Sequence, residues 1–231
     1  MTQSPRVLGI IPARAGSKRL PGKNMLLLDG KPIIDWTINA AKKSGCIDEI
    51  VVTSDDLAVS EVANSSGVTF LERPPILATD TAKTVDVVLH VVNEYKRRGC
   101  HYDVIILLQP TSPLRSAEDI SNALSLFINN DASSVVSMCM VEHSPLLTCQ
   151  LNSDGDLSNF YFSIKNLSSR SQDLPTYFRL NGAIYISRLD DFVREASFFS
   201  NPGFPYIMPI ERSIDIDNEI DYLTAQVFMN K

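Results

Sequence analysis

Val7-Leu8-Gly9-Ile10-Ile11-Pro12 is a compact apolar run ended by a proline, and Ala13-Arg14-Ala15-Gly16-Ser17-Lys18-Arg19-Leu20-Pro21-Gly22-Lys23-Asn24 follows it at once. The first segment reads as a buried strand and the second as the loop leaving its carboxyl end. Arg14, Lys18, Arg19 and Lys23 place four positive charges in that loop with no acid among them. Gly16 and Gly22 let the backbone approach a ligand closely and present N–H donors. A polyphosphate needs that combination. The loop is not a Walker A motif, because five residues separate Gly16 from Gly22 and Asn24 stands where Ser or Thr would bind magnesium. A solvated basic turn is the other reading of the charges, and the position directly after a core strand favours phosphate.

Outward from this point, strands alternate with helical patterns. Strands are predicted at Glu49–Thr53, Val68–Leu71, Val104–Leu108 and Ser134–Met140. Helices are predicted from Pro32 to Ser44, from Leu57 to Ser65, from Thr84 to Arg98 and onward from Ser116. In the third of these, Val85, Val88, Leu89, Val92 and Tyr95 share one face and Gly99 stops the helix. In the fourth, Ile120, Ala123, Leu124, Phe127 and Ile128 line one face. Strands without polar alternation, joined by helices, predict an α/β fold with a mainly parallel sheet covered on both faces. Ligands of such sheets bind at the carboxyl ends of the strands, which directs attention to loops 12–24, 53–56, 72–84 and 109–115.

After residue 140 the chain becomes loop-rich and polar. A strand returns at Gly182–Ser187, and Ser213–Asp217 reads as a last strand before a helix from Asn218 to about Met229. The whole of 1–231 reads as one domain, with 141–179 as an insertion.

Two more segments carry chemistry. In Ser213-Ile214-Asp215-Ile216-Asp217, strand alternation puts both aspartates on one face and both isoleucines on the other. Positions two apart lie ~6.6 Å from each other along a strand, so the two carboxylates can converge on one hard cation such as Mg²⁺. An exposed acidic edge strand is the alternative. In Leu107-Leu108-Gln109-Pro110-Thr111-Ser112-Pro113-Leu114-Arg115, a proline-stiffened turn presents Gln109, Thr111, Ser112 and Arg115 for hydroxyl or carboxylate recognition. A structural turn feeding the Ser116 helix cap fits the same residues equally well.

Composition bounds the function. The chain has 231 residues, 44% of them hydrophobic, and a formal net charge of −6. A net acidic chain is a poor general binder of nucleic acid or anionic membrane, and anions must be caught by a local cationic cluster. No apolar run approaches the roughly 20 residues of a membrane span. The N-terminus lacks the pattern of a secretory signal, and Cys46, Cys100, Cys139 and Cys149 form no C-x-x-C pair. These features lead us to expect a cytoplasmic protein with reduced thiols. With His90, His101 and His143 scattered, no zinc site is expected.

Taken together, the segments resemble the acylneuraminate cytidylyltransferases, the CMP–sialic acid synthetases. The likeness runs from Ile10 to Ala225. It is carried by Ile11–Asn24, by Arg73-Pro74 with Leu77–Ala82, by Gln109–Arg115, by Arg179-Leu180-Asn181-Gly182-Ala183-Ile184-Tyr185, and by Ser213–Asp217. The resemblance implies a three-layer α/β/α, Rossmann-like nucleotide-diphospho-sugar transferase fold. It also implies transfer of CMP from CTP to a nine-carbon 2-keto acid sugar, with Mg²⁺ as cofactor. It places Arg14, Ser17, Lys23 and Asn24 on the CTP phosphates and Arg73, Ala82 and Thr84 around the cytidine. Asp215 and Asp217 then hold the metal, Gln109 touches the sugar, and Tyr185, Phe198 and Phe199 wall the pocket for its acyl group. Arg14, Lys23, Asp215 and Asp217 carry the catalysis, with Asp215 the candidate general base. The family is dimeric, so the resemblance implies a homodimer in which 141–179 crosses to the partner and Arg170 meets the sugar carboxylate there. Sugars of the legionaminate, pseudaminate or KDO type, and a non-catalytic nucleotide-binding regulator, are the competing readings.

Overall fold

A computed structural model describes residues 4–17, 19–151, 153–157, 160 and 174–229. Its main sheet has seven strands: β1 (Val7–Pro12), β4 (Glu49–Ser54), β5 (Thr69–Glu72), β6 (Val104–Leu107), β7 (Ser134–Met140), β8 (Phe178–Arg188) and β9 (Gly203–Ile207). Their spatial order is β5-β4-β1-β6-β8-β7-β9. All pairings are parallel except those of β8, which runs antiparallel to both β6 and β7. A small hairpin, β2 (Leu27–Leu28) with β3 (Lys31–Pro32), stands apart. The helices are α1 (Ile33–Ser44), α2 (Leu57–Ser65), α3 (Thr84–Arg97), α4 (Ala117–Asn129), α5 (Leu189–Glu195) and α6 (Glu219–Met229). No helix among the described residues is long and apolar enough to cross a membrane.

Two covered faces explain why the strands lack polar alternation. Leu8 and Ile10 of β1 pack with Ile105 and Leu107 against Val88 and Val91 of α3 and Phe192 of α5. Val7 and Ile11, which point to the other face, pack with Val52 and Ile106 against α1, α2 and α4 through Ile34, Ile38, Val59, Ile120 and Phe127. Each such side chain contributes about 1.5–3 kcal/mol on burial, so both registers of β1 must be apolar. The expected three-layer α/β/α arrangement is the one found.

The structure corrects the expected elements in two places. Residues 213–217 form no strand and do not join the sheet; Ile216 N–H instead donates to the Thr111 carbonyl, 2.7 Å. The edge is instead β9, which the sequence reading did not identify. Its segment Gly203-Phe204-Pro205-Tyr206-Ile207 carries a proline, which demotes a strand pattern but is tolerated at a sheet edge. Alternation in 213–217 nevertheless persists. Ile214 and Ile216 pack into a third apolar cluster with Leu28, Ile33 and Ala225 of α6, leaving Asp215 and Asp217 to the opposite side. The strand expected at Gly182 begins earlier, at Phe178. Arg170 lies outside the described residues.

The start of α4 is tied to the β9 edge by one buried carboxylate. Ser116 and Asp119 form a reciprocal capping box, and Asp119 also accepts two hydrogen bonds from Arg212, both 2.9 Å, and one from Tyr206, 3.1 Å. Burial alone would raise the Asp119 pKa; the bonds from Arg212 and Ser116 outweigh it and hold the carboxyl below its usual range. A depressed folded-state pKa contributes stability above the unfolded value of about 3.9 that is lost as pH falls through the folded value. Asp119→Ala is therefore expected to cost about 2–3 kcal/mol at neutral pH. That difference from wild type should shrink below pH 4 in urea melts; a pH-independent difference would assign the loss to packing.

Candidate active site

The loops leaving β1, β5 and β6 meet over a cleft of about 300 Å³. The basic loop enters it through Arg14, Lys23 and Asn24, and the segment 213–217 through Asp215 and Asp217. Gly22 takes φ +64°, a left-handed turn that starts the short 3₁₀ turn Lys23–Met25 and swings Lys23 into the cleft. Asn24, almost wholly buried, donates to the Arg14 carbonyl, 3.0 Å, and so fixes the loop at both ends.

Cations and carboxylates are paired across the cleft. Lys23 Nζ donates to Asp217 Oδ1, 3.0 Å, and to the Ile216 carbonyl, 3.1 Å. Arg19 reaches the other oxygen of Asp217, 2.8 Å. Arg14 pairs with Asp80 Oδ1 at 2.6 Å. Burial pushes the Asp217 pKa up, but Lys23 and Arg19 prevail and hold it low. Asp215 behaves oppositely: burial, reinforced by Asp217 and Asp221, raises its pKa against the opposing effects of Thr111 and Lys23. Its Oδ1 is buried without a hydrogen-bond partner.

That orphaned oxygen, beside a second carboxylate, fits a hard divalent cation. Among the described residues no group of three or more His, Cys, Asp or Glu side chains could hold a metal. Mg²⁺ does not require one, since it is commonly held by one or two carboxylates and completes its shell with water and substrate phosphate oxygens. Asp215 and Asp217 are the residues suited to hold it.

Arg73 lies at the end of β5, 4% exposed, and donates to the Thr53 carbonyl at 2.7 Å. Its Nε has no partner. Burial lowers its pKa to about 10, with Asp55 opposing and Arg14 assisting, so it stays cationic at neutral pH. Ala82, Thr84 and Gln109 line the same cleft. Nine of the fourteen site residues named from the sequence thus line one cavity: Arg14, Lys23, Asn24, Arg73, Ala82, Thr84, Gln109, Asp215 and Asp217.

Of the other five, Arg170 lies outside the described residues and four stand elsewhere. Ser17 is half-buried in the basic loop and is not part of the cleft wall. Tyr185, Phe198 and Phe199 form one aromatic cluster, with ring centroids 5.8 and 6.4 Å from Tyr185. Within it Phe198 is a core residue, 4.6 Å from Phe192, whereas Phe199 is 62% exposed. Burial, and after it the charge of Asp215, raise the Tyr185 pKa.

The 109–115 turn divides between the two roles its sequence allowed. Gln109 and Thr111 face the cleft. Ser112 and Arg115, expected to be presented, are buried. Arg115 donates to the Ala183 carbonyl, 2.7 Å, and to that of Gln109, 3.3 Å; burial lowers its pKa to about 9. Asp80, which pairs with Arg14, and Asp55, which accepts from Ala15 N–H, were given no role from the sequence, because acids in polar loops do not by themselves show which cation or amide they meet.

An α/β sheet that gathers a basic loop, a buried arginine and two carboxylates at its strand ends defines a nucleotide-handling enzyme of the nucleotidyltransferase class. Residues 8–217 match the cytidylyltransferase family model, and the chain belongs to that family. It is 39% identical to the CMP-N,N'-diacetyllegionaminic acid synthase of Legionella pneumophila over 97% of this chain and 96% of that one. It is 38% identical to the N-acylneuraminate cytidylyltransferase of Streptococcus agalactiae over 93% of this chain but 51% of that one, so it spans about half of that relative. The pseudaminic acid cytidylyltransferase of Campylobacter jejuni is 31% identical over 95% of this chain and 94% of its own. Among solved structures, a CMP:2-keto-3-deoxy-manno-octonic acid synthetase complexed with CTP superposes with a TM-score of 0.71 at 19% identity, covering 97% and 98% of the two chains. A 4-diphosphocytidyl-2C-methyl-D-erythritol synthase does so at 0.70 and 12% identity, covering 99% and 100%. At those identities the likeness is one of fold.

Proposed function

We propose that this protein transfers a cytidylyl group from CTP to the anomeric hydroxyl of a nine-carbon 2-keto acid sugar of the N-acylneuraminate or legionaminate kind. The observation that carries the reading is the meeting of Arg14 and Lys23 with Asp215 and Asp217 in one cleft. The sugar oxygen forms a bond to the α-phosphorus as the bond to the β-phosphate oxygen breaks, and pyrophosphate leaves. Arg14, Ser17, Lys23 and Asn24 hold the phosphates; Arg73, Ala82 and Thr84 line the cytidine. Gln109 binds the sugar, Arg170 its carboxylate, and Tyr185, Phe198 and Phe199 flank its acyl group. Asp215 is our candidate for the group that takes the hydroxyl proton. Such transfer rests on positioning and charge neutralisation rather than a covalent nucleophile. Mg²⁺ on Asp215 and Asp217 would neutralise charge on the phosphates.

The likeness to relatives named for three different nonulosonic acids supports the sugar class and leaves legionaminate and N-acetylneuraminate as the leading acceptors. Pyrophosphate release from CTP, measured over a panel of 2-keto sugars, tests both levels. Release with one N-acylated nine-carbon sugar supports the proposal, preferential use of KDO moves the acceptor, and no release with any sugar favours a nucleotide-binding regulator. We also propose a single catalytic domain whose segment 141–179 completes a homodimer. A solution mass that stays at 25.6 kDa at micromolar concentration overturns the dimer.

A further inference from the structure

The site's two most dissimilar walls, the turn bearing Gln109 and the segment bearing Asp215, hang from one buried asparagine. Asn181 is 1% exposed. Its main-chain carbonyl accepts from Ser112 Oγ, 3.2 Å, three residues beyond Gln109. Its Nδ2 donates to Ser213 Oγ, 2.9 Å, two residues before Asp215. Its Oδ1 accepts from Ser137 Oγ, 2.6 Å, and from Ala183 N–H, 3.2 Å. Ser112, Ser137 and Ser213 are each fully buried.

This hub sits where the β7–β8 register slips between Val136 and Met138. Ser137 fills the irregularity, its Oγ accepting from Ile184 N–H at 2.7 Å. A bulge of this kind bends a strand and re-aims what it carries, and bulges collect beside active sites. Here the next residue, Gly182, takes φ +73°. A Cβ at Gly182 would stand 2.9 Å from Gln109 Oε1 and 3.0 Å from Asp215 Oδ2. The strand backbone therefore lies directly against both side chains, and a Cβ there would push them from these positions as well as straining a positive φ.

We infer that Asn181 is a positioning residue that sets the 213–217 segment, and with it the Asp215 carboxylate, against the Gln109 turn. This rests on the reading of Asp215 and Asp217 as the metal pair. Residues 213–217 do not join the sheet, so the Asn181–Ser213 bond stands in for the ladder that would fix a strand. Ser213 Oγ also donates to the Pro209 carbonyl, 2.7 Å, and so cannot turn its proton elsewhere without losing that bond.

Ser213→Ala removes the tie with the smallest change in volume, and Asn181→Ala removes the side-chain bonds to Ser213, Ser137 and Ala183 while keeping the main-chain bond from Ser112. The readout is Mn²⁺ binding to the enzyme–CTP complex without sugar, followed by paramagnetic resonance, beside the Mg²⁺ concentration for half-maximal turnover. Ser213→Ala should weaken Mn²⁺ binding about tenfold, the scale of losing a group that orients a metal ligand. CTP binding in EDTA should stay within about twofold of wild type, and adding Asn181→Ala should not add its full single effect, because both lesions break one link. Ser134→Ala is the control: it removes a buried bond to the Ser200 carbonyl, 2.7 Å, at the other end of β7. It should lower the melting temperature and leave Mn²⁺ binding unchanged. Wild-type Mn²⁺ binding in a folded Ser213→Ala protein would overturn the positioning role alone. Absence of Mn²⁺ binding by wild type with CTP, together with full turnover in EDTA, would overturn the metal pair and this inference with it.

Discussion

Asp217→Asn is expected to lower kcat by on the order of 10²–10³-fold, the scale of losing one charged element of a phosphoryl clamp, while CTP binds the variant more tightly in the absence of metal. The two effects have opposite signs because Asp217 has two occupations. In the structure it neutralises Lys23 and Arg19, at 3.0 and 2.8 Å. Without its charge those cations lose their counter-ion and meet the triphosphate at no cost of separation. In turnover the same carboxylate is proposed as half of the charge that holds Mg²⁺, and a neutral amide cannot replace it. The fold should survive, since the pairs are partly exposed and such pairs are worth about 0–1 kcal/mol. Calorimetry of CTP binding in EDTA and steady-state kinetics at saturating Mg²⁺ read the two effects separately. Wild-type turnover by the variant would remove Asp217 from the chemistry.

How far this arrangement could be read from residue order depends on the range of the forces involved. Strands β1, β4 and β6 were legible because burial on both faces imposes a continuous apolar run. Helices α3 and α4 were legible because one face alone is buried. The cleft's location followed from the sheet, and Arg14, Lys23, Asp215 and Asp217 were legible as clustered charge. What escaped were relations between distant segments. Strand β9 hid behind Pro205, which only an edge position excuses. Arg115 looks like a ligand residue in sequence, yet it is buried and donates to the Ala183 carbonyl, 68 residues away. Asn181 lies in a segment that carried the resemblance, but its role was not legible there, because its partners Ser112, Ser137 and Ser213 are ordinary serines until the fold brings them together. Residues 213–217 show the limit most clearly: alternation correctly put the aspartates on one side, but alternation does not say whether a neighbouring strand exists to pair with.

Lys23→Ala is expected to lower kcat/KM for CTP by on the order of 10²-fold, the loss of one charge-assisted contact in a partly dry site. Two accounts of that loss are possible from the structure. Lys23 Nζ binds both the Asp217 carboxylate and the Ile216 carbonyl, so it ties the basic loop to the acidic segment. It also stands in the cleft with its side chain only 18% exposed, where a cation on phosphate is weakly screened. Lys23→Met separates stem from charge, because it keeps the apolar length and removes the ammonium. If charge on the triphosphate is what matters, Met and Ala should lose equally, and CMP, which lacks the β- and γ-phosphates, should bind both variants nearly as well as it binds wild type. If the tie to residues 216–217 is what matters, the variants should bind CMP and CTP with equal losses and melt at a lower temperature. The first pattern is expected, since the tie is only one of the links holding that segment: Ile216 is also bonded to Thr111 and packed beneath Leu28 and Ile33.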